Sequence, residues 1–143
     1  IPKIQFEGRV QYLTKGKLKK LLRPNEKLLI DGCHSMASAK NLYDYLKTLK
    51  EPVYGIWGMQ KNKLPVQFIK SFNKIFKKLI TVTISKEPNA LKADVLERIG
   101  KKYFLTSSAN NIQTALKQIS SKENKTIVVF GSLYLVGEVL NKN

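Results

Sequence analysis

Cysteine, histidine and tryptophan each occur once in this sequence. A lone Cys excludes an internal disulfide framework and any cysteine-rich metal site. Eight Gly and five Pro, beside an apolar share of 43%, are too few to mark a disordered or low-complexity chain. No stretch reaches the ~18–20 consecutive apolar residues of a membrane span, and no charged-then-apolar signal segment opens the chain. Together these absences point to a reducing, cytoplasmic setting with no membrane partner. Acidic residues are scarce as well: 10 Asp and Glu face 26 Lys and Arg, a net charge of +16. Such a balance draws polyanions and phosphate-bearing ligands in general. Arginine, which base-edge readers favour, is rare among the cations, and no zinc finger, basic zipper or aromatic RNA signature is present. Specific nucleic-acid binding is therefore not expected, and the lysines read first as a solvated face.

What remains is a chain of 143 residues, the usual size of one domain with a core of its own. It opens on Ile1 and not Met, so an excised domain or fragment is expected. Apolar runs alternate with amphipathic ones. GRVQYL (8–13) alternates weakly, as an edge strand does. Residues 14–26 are expected to carry a short helix with Leu18, Leu21 and Leu22 on one face, stopped at Pro24. KLLIDG (27–32) is an apolar strand, and Ser35 can cap a helix over 36–49. Further strands are expected at 52–59, 79–84, 103–108 and 126–132, and further helices at 65–79, 90–100, 111–120 and from 134.

Strands separated by helices of this length imply parallel pairing through right-handed crossovers. The apolar runs at 28–30, 53–57 and 127–130 show no alternation, as befits strands covered on both sides. The expected fold is an open, doubly wound α/β sheet of six mostly parallel strands, helices on both faces, with one antiparallel edge strand allowed. No repeat or linker divides residues 1–143.

In such sheets ligands bind at the carboxyl ends of the strands. Three of those ends are polar or Gly-rich: Asp31-Gly32-Cys33-His34, Gly58-Met59-Gln60 and Gly131-Ser132-Leu133-Tyr134. Their order and spacing resemble the C-terminal domain of the folylpolyglutamate synthase/dihydrofolate synthase family, a Rossmann-like module of the Mur ligases. DGCHSM stands where that family has D-G-A-H-N-P, GMQKNKL where it has G-M-L-x-x-K-D, and GSLYLVGEVL matches G-S-x-Y-x-x-G/A-E-V. EGRVQ stands at the family's P-G-R turn.

The resemblance implies an ATP-dependent ligase that joins L-glutamate to a folate or dihydropteroate carboxylate through an acyl phosphate. It implies that Arg9 contacts ATP, where an always-charged guanidinium forks onto phosphate oxygens. It implies that Asp31 meets the nucleotide and that His34 stands near the transferred phosphate and the incoming glutamate. Mg2+ is expected to be held mainly by an N-terminal domain, which would also carry the phosphate loop: no G-x-x-x-x-G-K-S/T occurs here. The isolated chain is thus expected to fold and to be inactive. Ser35 and Met36 replace the family's Asn-Pro, and Leu64 its Asp, all at the ligand end. Cys33, Trp57 and Met59 read as buried packing residues. Two other readings are a decayed or split ligase fragment and a basic nucleic-acid-binding module.

Overall fold

The computed structural model describes residues 10–143. Arg9 and the start of the 8–13 stretch lie outside them. Six strands form one sheet: β1 (Gln11–Leu13), β2 (Glu26–Asp31), β3 (Val53–Trp57), β4 (Phe76–Thr81), β5 (Thr106–Ser108) and β6 (Lys125–Phe130). Their spatial order is β1-β2-β6-β3-β4-β5. β1 pairs antiparallel with β2, and every other neighbouring pair is parallel. The expected six-stranded sheet with one antiparallel edge is the one observed.

Five helices connect and close it: α1 (Met36–Leu46), α2 (Pro65–Lys70), α3 (Ala93–Gly100), α4 (Ile112–Ile119) and α5 (Leu133–Lys142). From β2 to β5 the chain advances across the sheet, so right-handed crossovers lay α1, α2 and α3 on one face. From β5 to β6 it steps back into the middle, which sends α4 and α5 to the other. Two cores record this. Leu29, Leu42, Leu46, Phe68, Phe72, Leu96 and Phe130 pack on the first side. Leu28, Ile30, Ile112, Leu116, Leu135 and Val139 pack on the second, together with Leu18 and Leu22. The strand residues alternate between the two cores because successive side chains leave a strand on opposite faces. On the first side Phe130 contacts three other rings, Phe68, Phe72 and Phe76, at 5.1–6.0 Å between centroids. Each such pair adds about 0.5–1.5 kcal/mol beyond burial.

Several boundaries differ from the sequence expectation, most of all between 65 and 84. The helix expected over 65–79 is α2, only six residues long, and the strand expected at 79–84 begins at Phe76. The pattern Phe68, Ile69, Phe72, Ile75, Phe76 fits a helical stripe, but Lys74 adopts a left-handed φ of +58° and reverses the chain. The next residues are then free to pair with β3, Val53 opposite Phe76 and Trp57 opposite Thr81. Pairing a buried parallel strand outweighs extending a helix by two turns. Likewise, residues 14–26 hold only a 3-10 turn at Lys19–Leu21, although Leu18 and Leu22 are buried as expected. Leu22 is already extended, with φ −108° and ψ 161°, and the ring of Pro24 disfavours helix in the residue before it.

Candidate functional site

The site begins where the winding reverses. β6 lies between β2 and β3, with Asp31 and Trp57 both paired with Phe130. The chain after β2 turns to α1 on one face, and the chain after β6 turns to α5 on the other. A crevice therefore opens at the carboxyl ends of β2, β6 and β3. The three polar strand ends read from the sequence are neighbours there.

Gly131 makes the turn out of β6. Its φ is +112°, and a Cβ added there would collide with the carbonyl of Gly58 and sit 2.7 Å from Trp57 Cδ1. Only glycine lets the two loops approach this closely. Ser132 then caps α5, its hydroxyl accepting from the N–H of Tyr134 at 3.0 Å.

Asp31 is the last residue of β2 and is buried. Its Oδ1 accepts from Cys33 N–H at 2.8 Å, which shapes the loop, and its Oδ2 accepts from Val10 N–H at 3.0 Å, which ties down the entry to β1. The carboxylate is thereby held in one orientation at the mouth of the crevice. Helix capping falls to Ser35 instead: Ser35 and Ser38 form a reciprocal capping box.

His34 is half-buried, and its backbone N–H donates to Ser38 Oγ at 3.1 Å. Its Nδ1 lies 3.1 Å from the carbonyl of Gly32. A carbonyl can only accept, so in the neutral ring Nδ1 carries the proton and Nε2 presents a lone pair. Beside it is a cleft of about 320 Å³ lined by His34, Ser35, Met36, Asn62, Lys63, Leu64 and Phe68. Three of the departures from the family motifs, Ser35, Met36 and Leu64, fall in this one cleft. Met36 and Leu64 are exposed, at 46% and 60%. Sequence reasoning did not find Asn62, Lys63 and Phe68 as neighbours of His34, because the loop after β3 and the following α2 bring them there across the sheet.

Cys33, Trp57 and Met59 are buried packing residues, as expected. The Trp57 indole N–H has no hydrogen-bond partner among the described residues. Those residues also contain no group of three or more His, Cys, Asp or Glu side chains able to hold a metal ion. No described helix is long and apolar enough to cross a membrane.

Comparison with solved structures shows the same fold within longer chains. A folylpolyglutamate synthase from Mycobacterium tuberculosis, complexed with ADP and AMPPCP, matches with a TM-score of 0.77 at 18% identity, covering 94% of this chain and 31% of that one. A folylpolyglutamate synthase from Thermotoga maritima matches at 0.74 and 27% identity, over 94% and 30% of the two chains. A bifunctional folylpolyglutamate synthase/dihydrofolate synthase from Yersinia pestis, complexed with AMPPNP and Mn ion, matches at 0.76 and 17%, over 94% and 30%. The chain thus spans about a third of the length of these relatives. No curated protein matches it. Residues 14–142 match the family described as dihydrofolate synthetase, C-terminal domain, and with nearly its whole length in that match the chain belongs to this family.

Proposed function

We propose that the chain serves as the C-terminal domain of a cytoplasmic, ATP-dependent ligase of the Mur type, acting in folate metabolism. It would add L-glutamate to a folate or dihydropteroate carboxylate. The observation that carries this reading is the meeting of the Asp31, Gly58 and Gly131 loops at the switch point of a sheet shared with nucleotide-complexed ligases.

Bound ATP supplies the phosphoryl group that turns the acceptor carboxylate into an acyl phosphate. The amine of glutamate then attacks the acyl carbon, the C–N bond forms, the C–O bond to phosphate breaks and a proton leaves the amine. Asp31, already oriented by two backbone N–H groups, is proposed to accept from a ribose hydroxyl of the nucleotide. His34 is proposed to face the second step. With Nδ1–H engaged by Gly32, its Nε2 can take the amine proton or anchor the incoming glutamate. Arg9, outside the described residues, is proposed to fork onto nucleotide phosphates. An N-terminal domain would hold Mg2+, most of the folate site and the phosphate loop, so this chain alone should not ligate.

The test is steady-state kinetics on a full-length protein carrying this domain, with each substrate varied. Arg9→Ala should raise the KM for ATP. His34→Ala should lower kcat or raise the KM for glutamate, with an unchanged melting curve. A full-length protein with no ATP-dependent glutamate addition would favour a decayed ligase, and full activity in both variants would remove these residues from the chemistry.

A further inference from the structure

The charge is distributed unevenly over the fold. The connections at the amino ends of the parallel strands, residues 14–25, 47–52, 71–75, 101–105 and 120–124, carry eleven Lys or Arg and only two acids, Glu51 and Glu123. Those acids are already paired, with Lys27 at 3.7 Å and Lys77 at 2.6 Å. The connections at the carboxyl ends, where the candidate ligase site lies, carry four cations and Glu87. Cations at helix C-termini complement the helix dipoles, which accounts for Lys47 and Lys101. Dipoles do not account for Lys15, Lys17, Lys74 and Lys122, which stand exposed in loops.

An aromatic groove adjoins this face at the β1 edge. Tyr12, Leu13, Lys19, Lys27, Tyr45 and Leu49 line a cavity of about 450 Å³. The Tyr12 and Tyr45 hydroxyls are hydrogen-bonded at 2.6 Å, and their rings stand 6.4 Å apart at 64°. Near the β5 edge, Tyr103 and Leu105 are exposed beside Lys101 and Lys102, Leu105 at 72%. Six strands ~4.8 Å apart make this end about 24 Å wide, comparable to several nucleotides at ~3.4 Å each.

We propose that the amino end of the sheet is a binding face for single-stranded nucleic acid, with lysines meeting phosphates and the tyrosine groove stacking a base. Lysine-dominated contacts to the backbone carry no base-edge reading, so the binding has no sequence preference. The loops offer no amphipathic helix to lie in a lipid interface, which favours nucleic acid over a membrane. This face lies at the opposite end of the sheet from the His34 cleft, so the proposal stands independently of the ligase reading.

The test is fluorescence anisotropy of a labelled 15-nucleotide oligo(U) with the 143-residue chain, between 50 and 200 mM KCl. If about five phosphates are engaged, affinity should fall roughly a hundredfold over that range. Lys15→Gln/Lys17→Gln/Lys101→Gln/Lys102→Gln should weaken binding and flatten the salt slope, whereas Lys86→Gln/Lys92→Gln at the other end should change both much less. Tyr45→Leu should cost about tenfold against oligo(U) but nothing against inorganic polyphosphate, which has charge without bases. Trp57 fluorescence checks that each variant is folded. Equal losses from the two lysine sets would overturn the proposal, as would tighter binding to phosphatidylserine vesicles than to oligo(U). A Tyr45→Leu effect of equal size on polyphosphate would overturn the stacking half.

Discussion

Asp31 and Val10 are joined at the β1 side of the crevice: the N–H of Val10 donates to Asp31 Oδ2 at 3.0 Å. Val10 has a φ of +41°, unfavourable for a β-branched residue, and this bond helps to hold it there. Asp31 thus fastens the first described residue, which directly follows Arg9 in sequence, to the end of β2. Asp31→Ala should lose two charge-assisted hydrogen bonds and lower stability by about 1.5–3 kcal/mol. Asp31→Asn keeps the shape but one acceptor oxygen, and should fall between wild type and Ala. Urea denaturation of the three proteins checks the order, and equal stabilities would show that the carboxylate does not anchor Val10.

Stability should respond to acid through Glu26. Glu26 and Lys125 are both fully buried, paired at 2.7 Å, at the starts of β2 and β6. Burial alone would raise the Glu26 carboxyl. Hydrogen bonds from Arg23 N–H, the Lys125 ammonium, the Ser120 hydroxyl and Ser121 N–H outweigh it and hold the pKa at about 2, against an ordinary 4.5. The folded state therefore binds this proton more weakly than the unfolded state. The contribution, roughly 3 kcal/mol, is fully present above about pH 4.5 and is lost as pH falls toward 2. Denaturation midpoints between pH 6 and pH 2 should show that loss, and Glu26→Gln should flatten it.

Removing one partner of the pair differs from replacing both. Glu26→Gln leaves the Lys125 ammonium buried without its counter-charge, and should cost about 3–5 kcal/mol. Glu26→Leu/Lys125→Met should recover part of that. A double variant no more stable than the single one would show that the cost lies in the Arg23, Ser120 and Ser121 donors left without the Glu26 carboxylate, not in the unpaired ammonium.

Two glycines in the final motif should respond oppositely to alanine. Gly131→Ala meets both a positive φ and the Gly58 carbonyl, and should destabilise by more than about 2 kcal/mol. A Cβ on Gly137, inside α5, meets nothing within 4 Å. Gly137→Ala should stabilise by about 0.5–1 kcal/mol. Thermal melts of the pair check the contrast.

The cleft beside His34 should tolerate restoration of its polar character. Leu64 is 60% exposed, so Leu64→Asp should shift stability by no more than about 0.5 kcal/mol. In a full-length protein it should alter the KM of a substrate. A large drop in melting temperature would mean that Leu64 has a packing role.

The sequence by itself determined the alternation of strands and helices, and with it the parallel sheet, because period and turn residues are local properties of the chain. It also determined the three strand ends, since Asp31, Gly58 and Gly131 each follow an apolar run that must be buried. Only the tertiary structure decided that β6 inserts between β2 and β3 and so brings those ends together, for pairing between distant segments leaves no local mark. The end of α2 and the start of β4 were illegible for a related reason: one apolar pattern suits helix and strand alike, and pairing with β3 chose between them. Nothing local in the sequence marks Glu26 and Lys125, ninety-nine residues apart, as a pair. Their burial follows from the adjacency of β2 and β6, and the low-dielectric interior there makes the pair obligatory.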